Sequence, residues 1–341
     1  MKMFKSDNTS GVHPIILDAI IKANEGYAHA YGEDEITEKA EKMIGELLGC
    51  DADVFFVTTG TAANVIGLSG LLRSYEGIVA ADTAHINVDE CGAMEKYAGN
   101  KIIQVRNSEG KISLDDIIPL LEVVGDEHSV QPKVISISQT TEMGTLYTVE
   151  EIKALADFAH KNDMLLHVDG ARIANSVEAL GTTLKEMITD TGVDLLSFGG
   201  TKNGMMMGEA IVSLNKEFSK CYLFHRKQGM QLVSKMRYIS AQFIAYLQND
   251  LWIENARNSN QMGKYLAQRI SEQEGVSLYA PVDTNMVFAY MDKGLIEYLL
   301  KDFKFYVTDP SAGQVRFVTS FDITREDVDE FVEHIIKYNN K

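Results

Sequence analysis

Between about residues 50 and 215, short apolar runs alternate with helical stretches, and this alternation leaves the chain few folds to adopt. The runs are DVFFVT (53–58), GIVAAD (77–82), KIIQV (101–105), VISIS (134–138), LLHVDG (165–170), DLLSFG (194–199) and EAIVSL (209–214). Several are β-branched and apolar on both faces, as strands covered on both sides of a mostly parallel sheet must be. Helix starts fall between them. SLDD (113–116) and TVEE (148–151) each place a hydroxyl three residues ahead of an acid, which caps the first free N–H groups, and the Glu version closes a capping box. Ile152, Leu155, Ala156 and Ala159 then mark one helical face. The pattern predicts an α/β domain, a mostly parallel sheet flanked by helices.

The character changes after about residue 250. VSLY, TNMVFAYM, KFYVT and QVRFVTSF read as strands around GLIEYLLKDF and ahead of the helix TREDVDEFVEHIIKY, a smaller C-terminal α+β unit. A long helix through MRYISAQFIAYLQNDLWIENARNSNQMGKYLAQRI, with room for a bend, joins the two. The expected division is 1–248, the N-terminal segment included, and 249–341, and 341 residues are enough for both cores. A formal net charge of −17 with no basic patch disfavours nucleic acid and anionic membranes as partners, so a small molecule is the expected one. The N-terminus MKMFKSDNTS has no signal-peptide core, and no apolar run approaches the roughly 18 residues of a membrane span. Cys50, Cys91 and Cys221 are scattered and odd in number, which fits a reduced, cytoplasmic compartment.

In an open parallel sheet, ligands sit beyond the carboxyl ends of the strands. Four such ends carry unusual residues. Gly60 and Thr61 follow DVFFVT and open a helix, where free N–H groups and the helix dipole suit an anion, although the same pair also serves as a plain capped turn. GIVAAD leads to His85. LLHVDG ends in Asp169, with Arg172 just beyond, and either residue alone fits a turn or a salt bridge. Lys202 stands in the glycine-rich break between DLLSFG and EAIVSL. Beside Met205, Met206 and Met207 it is not expected to be fully exposed, and a lysine so held becomes a usable nucleophile. His167 and Asp169 without a third ligand are poor support for a metal site, so no metal is expected and His167 reads as structural. Together, an anion cup, an acid, an arginine and a lysine at the ends of one sheet are what pyridoxal 5'-phosphate needs. The cofactor takes a helix terminus for its phosphate, a lysine for its Schiff base and an acid against its ring nitrogen, while an arginine holds the amino-acid carboxylate.

On these residues the chain resembles the fold-type I pyridoxal-phosphate enzymes and, within them, the low-specificity L-threonine aldolases of the β-eliminating lyase family. The resemblance runs through FKSDNTSG, YGEDEITEKAE, FFVTTGTAANVIGL, DTAHINVDECGAMEK, HVDGARIANS, SFGGTKNGMMMGEA, GMQLVSKMR and VRFVTSFDIT. It implies that Lys202 carries the cofactor, Asp169 pairs with the pyridinium nitrogen and His85 stacks on the ring. Gly60, Thr61 and Thr201 would hold the phosphate, with Arg237 reaching the phosphate of a neighbouring subunit. Ser6, Arg172 and Arg316 would bind the substrate carboxylate, Arg172 also bordering the cofactor, and Tyr31 would line the site. The family works as a homotetramer built from dimers. The implied reaction is retro-aldol cleavage of L-threonine, L-allo-threonine and other β-hydroxy-α-amino acids to glycine and an aldehyde. β-Elimination or transamination on the same scaffold is the alternative. One departure stands out. Where many members carry ENTHN, this chain has SQTTEMG, and the histidine falls at about Thr141. The base for the substrate hydroxyl is then unassigned, with His85 favoured over a water or the phosphate.

Overall fold

The structure, a computed structural model, describes residues 3–341. All seven expected runs form one sheet: β1 (Asp53–Val57), β2 (Glu76–Ala81), β3 (Lys101–Val105), β4 (Gln131–Ser138), β5 (Leu165–Gly170), β6 (Leu195–Gly199) and β7 (Glu209–Ser213). Their order is β1-β7-β6-β5-β4-β2-β3. Neighbours pair in parallel except β7, which runs antiparallel to both β1 and β6. β6 and β7 are therefore a hairpin, and Lys202 lies in its connection. Every residue of β2, β5, β6 and β7 is buried, which is the reason their sequences lack alternation.

The caps behave as their chemistry requires. Thr148 and Glu151 close a capping box on the helix Val149–Lys161. Ser113 and Asp116 close one as well, the shorter acid reaching back to the Ser113 N–H at 2.7 Å.

The second sheet is antiparallel, in the order β10-β11-β9-β8, from β8 (Val276–Leu278), β9 (Met286–Met291), β10 (Tyr306–Asp309) and β11 (Gln314–Val318). The expected long helix is two helices, Arg237–Leu247 and Leu251–Ser271, broken where Asn249 and Asp250 take left-handed φ values of 55° and 57°. The second helix serves both cores: Trp252 and Ala256 pack with the large sheet, while Met262, Leu266 and Ile270 pack with the small one. Phe4 also belongs to the small core, and its backbone bonds to Lys304 and Val318 at 2.9 Å each.

Gly263 lets this helix come close to the strand-entry segment. A Cβ there would lie 2.7 Å from the Thr284 carbonyl oxygen and 3.0 Å from the Asn285 Cα. Gly263→Ala is expected to destabilise the fold by about 1–3 kcal/mol through this clash, although alanine favours an open helix by about 1 kcal/mol. Denaturant unfolding measures it, and a stabilised variant would contradict the close packing.

Candidate active site

The carboxyl ends of β4, β5 and β6 meet at one edge of the large sheet. Register sets Ser138 of β4 beside Asp169 of β5, and Asp169 beside Ser197 of β6. Asp169 is 9% exposed. One of its carboxylate oxygens accepts the Ala171 N–H at 3.0 Å and the other accepts the Asn64 amide at 2.8 Å. The same Asn64 Nδ2 donates to Glu90 at 2.9 Å, and Glu90 faces His85 Nδ1 at 2.9 Å. A continuous chain thus runs from Asp169 through Asn64 and Glu90 to His85. Its Glu90 hydrogen bond, chiefly, holds His85 above the ordinary imidazole range, against burial, with Glu142 and Asp169 adding to the rise and Lys202 opposing it. Neither Asn64 nor Glu90 stood out in the sequence, since a buried amide and a buried acid look like any polar residues until their partners are known.

Lys202 is half-buried in the turn Thr201–Asn203, as expected from its neighbours, although only Met205 of the three methionines is buried. Glu209, the first residue of β7, underlies this turn and accepts the Gly200 N–H at 3.1 Å. Burial pushes its carboxyl up to about 7, against hydrogen bonds from Thr201 and the charge of Lys202. The Thr201 hydroxyl accepts the Gly208 N–H at 3.1 Å and so ties the two ends of the connection together.

Arg172 follows β5 and is 8% exposed. Its Nε and Nη2 bond to the two carboxylate oxygens of Asp7 at 2.6 and 3.1 Å. Asp7 also accepts the Asn285 amide at 3.3 Å and the Ser6 hydroxyl at 3.4 Å. Burial would raise its carboxyl, but the charges of Arg172 and Lys202 and the hydrogen bonds from Arg172 and Asn285 hold it below the usual range. Two of the Arg172 nitrogens are thus engaged by Asp7, a residue the sequence reading passed over. Arg316 on β11 is less committed: its guanidinium lies 4.8 Å from the Tyr306 ring, and its buried Nε has no partner among the described residues. Burial and the charge of Arg172 lower its proton affinity.

Gly60 and Thr61 open the ten-residue helix Gly60–Ser69, whose side-chain cap is Thr59. A Cβ on Gly60 would meet nothing within 4 Å, so this helix start faces open space. Thr61 also lines a cavity of about 590 Å³ with Tyr97, Met230 and Gln231.

Tyr31 and Arg237 make no hydrogen bond, ion pair or ring contact with this cluster among the described residues. The Tyr31 N–H bonds to Ser234 O at 3.0 Å, and Arg237 donates to Gly26 O at 3.2 Å, so both lie where residues 24–33 pack against 227–238. His167 is fully buried between Ser136 (2.9 Å) and Ser197 (3.0 Å), which matches its structural reading.

Comparison with known proteins gives a consistent picture. The profile of the family described as "Beta-eliminating lyase" matches residues 4–294. The chain is 38% identical over 336 residues to a low specificity L-threonine aldolase of Pseudomonas aeruginosa, covering 98% of this chain and 97% of that protein. It is 29% identical to a low-specificity L-threonine aldolase of Candida albicans, over 84% of this chain and 75% of the other. Among solved structures, a threonine aldolase of Leishmania major superposes with a TM-score of 0.94 at 32% identity, covering 99% of both chains.

Burial pushes His167 down to about 4 from an ordinary 6.5, with Asp169 opposing. The unfolded chain therefore binds this proton from about pH 6.5 downward and the folded one only near pH 4, so stability rises with pH across that window. Lowering the pH from 7 to 5 is expected to cost about 2 kcal/mol through this residue alone. The pH dependence of unfolding in His167→Asn should be shallower by that amount, and equal slopes in the two proteins would contradict a neutral buried imidazole.

Proposed function

The chain belongs to the β-eliminating lyase family, and on that premise we propose that it uses pyridoxal 5'-phosphate to cleave L-threonine, L-allo-threonine and related β-hydroxy-α-amino acids to glycine and an aldehyde. The observation that carries this reading is the convergence of Lys202, Asp7, His85 and Asp169 at one end of the large sheet. The charge of Lys202 acts directly on both Asp7 and His85, and the hydrogen-bonded chain ties His85 to Asp169.

The residues present fit the cofactor. The Arg316 Nε, Asn285 Oδ1, Asn64 Oδ1 and Glu90 Oε2 are buried without partners among the described residues, a concentration of unsatisfied polar atoms that a folded protein tolerates where a bound group completes them. Lys202 supplies the amine that would hold the cofactor, Asp169 the acid for its ring nitrogen, and Gly60, Thr61 and Thr201 the donors for its phosphate. When bound, the cofactor supplies an electron sink for the carbon between the amino and carboxyl groups.

The protein's own groups do the rest. Arg316, held in a partly desolvated place, binds the substrate carboxylate, and Ser6 and Arg172 border it. Fixing that carboxylate fixes which bond at Cα is aligned for cleavage. Asp169 is kept in place by Asn64 and the Ala171 N–H. His85, whose protonated form Glu90 favours, acts toward the substrate as a donor more readily than as an acceptor. Tyr31 and Arg237 lie apart from this cluster in one chain and would serve a neighbouring subunit's site in a homotetramer of dimers. Exposed Ile21, Tyr27, Phe224 and Met230 on that side support such an assembly. The three free cysteines are in keeping with a cytoplasmic location.

Lys202→Ala is expected to lose the visible absorbance of the lysine-bound cofactor, and a retained band would remove Lys202 from this role. Asp169→Ala should keep cofactor yet cripple turnover, and near-normal turnover would count against its pairing with the ring nitrogen. Arg316→Ala is expected to raise KM for L-threonine roughly 10- to 100-fold, the worth of a charge-assisted hydrogen bond. An unchanged KM would return Arg316 to a structural part.

A further inference from the structure

The segment SQTTEMG, which begins at the last residue of β4, carries an acid that no role so far has used. Gln139 bonds through its N–H to Asp169 O at 2.8 Å, so the chain leaves β4 at the same sheet edge as the proposed cofactor site. It then closes a tight turn: the Thr141 N–H bonds to Thr145 O and the Gly144 N–H to Thr141 O, at 3.0 Å each, with Glu142 and Met143 at the tip. Thr284 Oγ1, just ahead of β9, donates to Gly144 O at 3.2 Å and holds the turn against the second sheet. Met143 packs on Met286, Phe288 and Val318. In the β9–β11 register Met286 faces Val318 and Phe288 faces Arg316, so these four residues share one face of the small sheet. The turn thus lies between Arg316 on one side and the strand end bearing Asp169 on the other.

Glu142 is half-buried there, and its carboxylate makes no hydrogen bond or ion pair among the described residues. Its charge nevertheless acts on three groups of the site, His85, Arg172 and Arg316. An unpaired carboxylate that is partly desolvated and surrounded by cationic groups has its acceptor capacity unspent. The opposite holds for Asp7, Asp169 and Glu90, whose carboxylates are already bonded to Arg172, Asn64 and His85. The groups facing His85 are Glu90 on its own segment, Asp169 on β5, Glu142 on this turn and Lys202 on the hairpin connection.

Resting on the aldol-cleavage reading above, we propose that Glu142 is the catalytic residue that accepts the hydrogen of the substrate's β-hydroxyl. As the Cα–Cβ bond breaks, the hydroxyl proton passes to the Glu142 carboxylate and the former hydroxyl carbon leaves as an aldehyde carbonyl. The electron pair of the broken bond stays with the Cα fragment, where a proton then replaces the lost carbon and gives glycine. Neither oxidant nor reductant is needed. The substrate is thereby required to carry a β-hydroxyl, and the acid sits at the place in the chain where the histidine of other members is missing.

The test uses the full-length protein loaded with pyridoxal 5'-phosphate, and the Glu142→Gln variant, which keeps the shape of the side chain. Two rates are read: glycine release from L-threonine, and exchange of the glycine α-hydrogen in deuterated water by NMR, which involves no hydroxyl. Threonine cleavage is expected to fall about a hundredfold or more, the share of a general base. Glycine exchange and the visible cofactor absorbance should stay within about twofold of the wild type, the residual range being small against that loss. Cleavage at the wild-type rate would overturn the proposal, and so would a parallel loss of both rates, which would make Glu142 a structural support of the site. Glu142→Asp, with a carboxylate retained, should recover part of the cleavage, and failure to exceed Glu142→Gln would also count against proton acceptance. If the wild type exchanges glycine but does not cleave threonine, the aldol reading itself falls and this assignment with it.

Discussion

The buried ion pair between Asp7 and Arg172 is the contact on which the rest of the site depends. Asp7 is 2% exposed and Arg172 is 8% exposed, and their geometry is bidentate. Such a pair adds little over a well-packed apolar pair, but removing one partner strands a buried charge at a cost of about 3–5 kcal/mol. Its value is therefore positional. It fixes the N-terminal turn Asp7–Thr9 against the end of β5, with Asn285, just ahead of β9, as a third partner. The same segment continues to His13, whose N–H bonds to Gly204 O at 2.9 Å. The N-terminal chain thus closes over the connection that carries Lys202 and binds the two sheets around one space.

Charge balance explains the other half of the arrangement. A single amide, Asn64, holds two buried carboxylates, Glu90 and Asp169, and two such charges repel unless each has a cation. Glu90 has His85. Among the described residues Asp169 has neutral hydrogen-bond donors alone, Asn64 and the Ala171 N–H, so its end of the chain is the one where a protonated ring nitrogen would complete the balance. Beneath Lys202, desolvation raises the Glu209 carboxyl to about 7, against the opposing charge of Lys202, so burial weakens the negative charge under the connection.

Most of the fold was legible because burial erases alternation. Seven largely apolar runs marked the sheet, and the polar or glycine residues that end them marked the candidate site. What stayed hidden depends on partners distant in sequence. Asp7 and Arg172 are 165 positions apart, and Asn64 and Asp169 are 105 apart, so neither local pattern nor propensity points from one to the other. The break at Asn249 and Asp250 was legible only as room for a bend, without a place: the apolar spacing runs on through it, and only the backbone turns left-handed. Glu142 carries no signal in the sequence, because a lone acid in a loop ordinarily marks a solvated turn. Its placement between the two sheets is what distinguishes it.

Breaking a carbon–carbon bond is the chemistry that this arrangement of residues serves. The direct measurement is product analysis with purified protein loaded with pyridoxal 5'-phosphate and given L-threonine, with glycine, acetaldehyde, ammonia and keto acid followed together. Cleavage of the Cα–Cβ bond gives glycine and acetaldehyde in equal amounts. Ammonia with a keto acid, or no glycine from a protein that holds its cofactor, would contradict it.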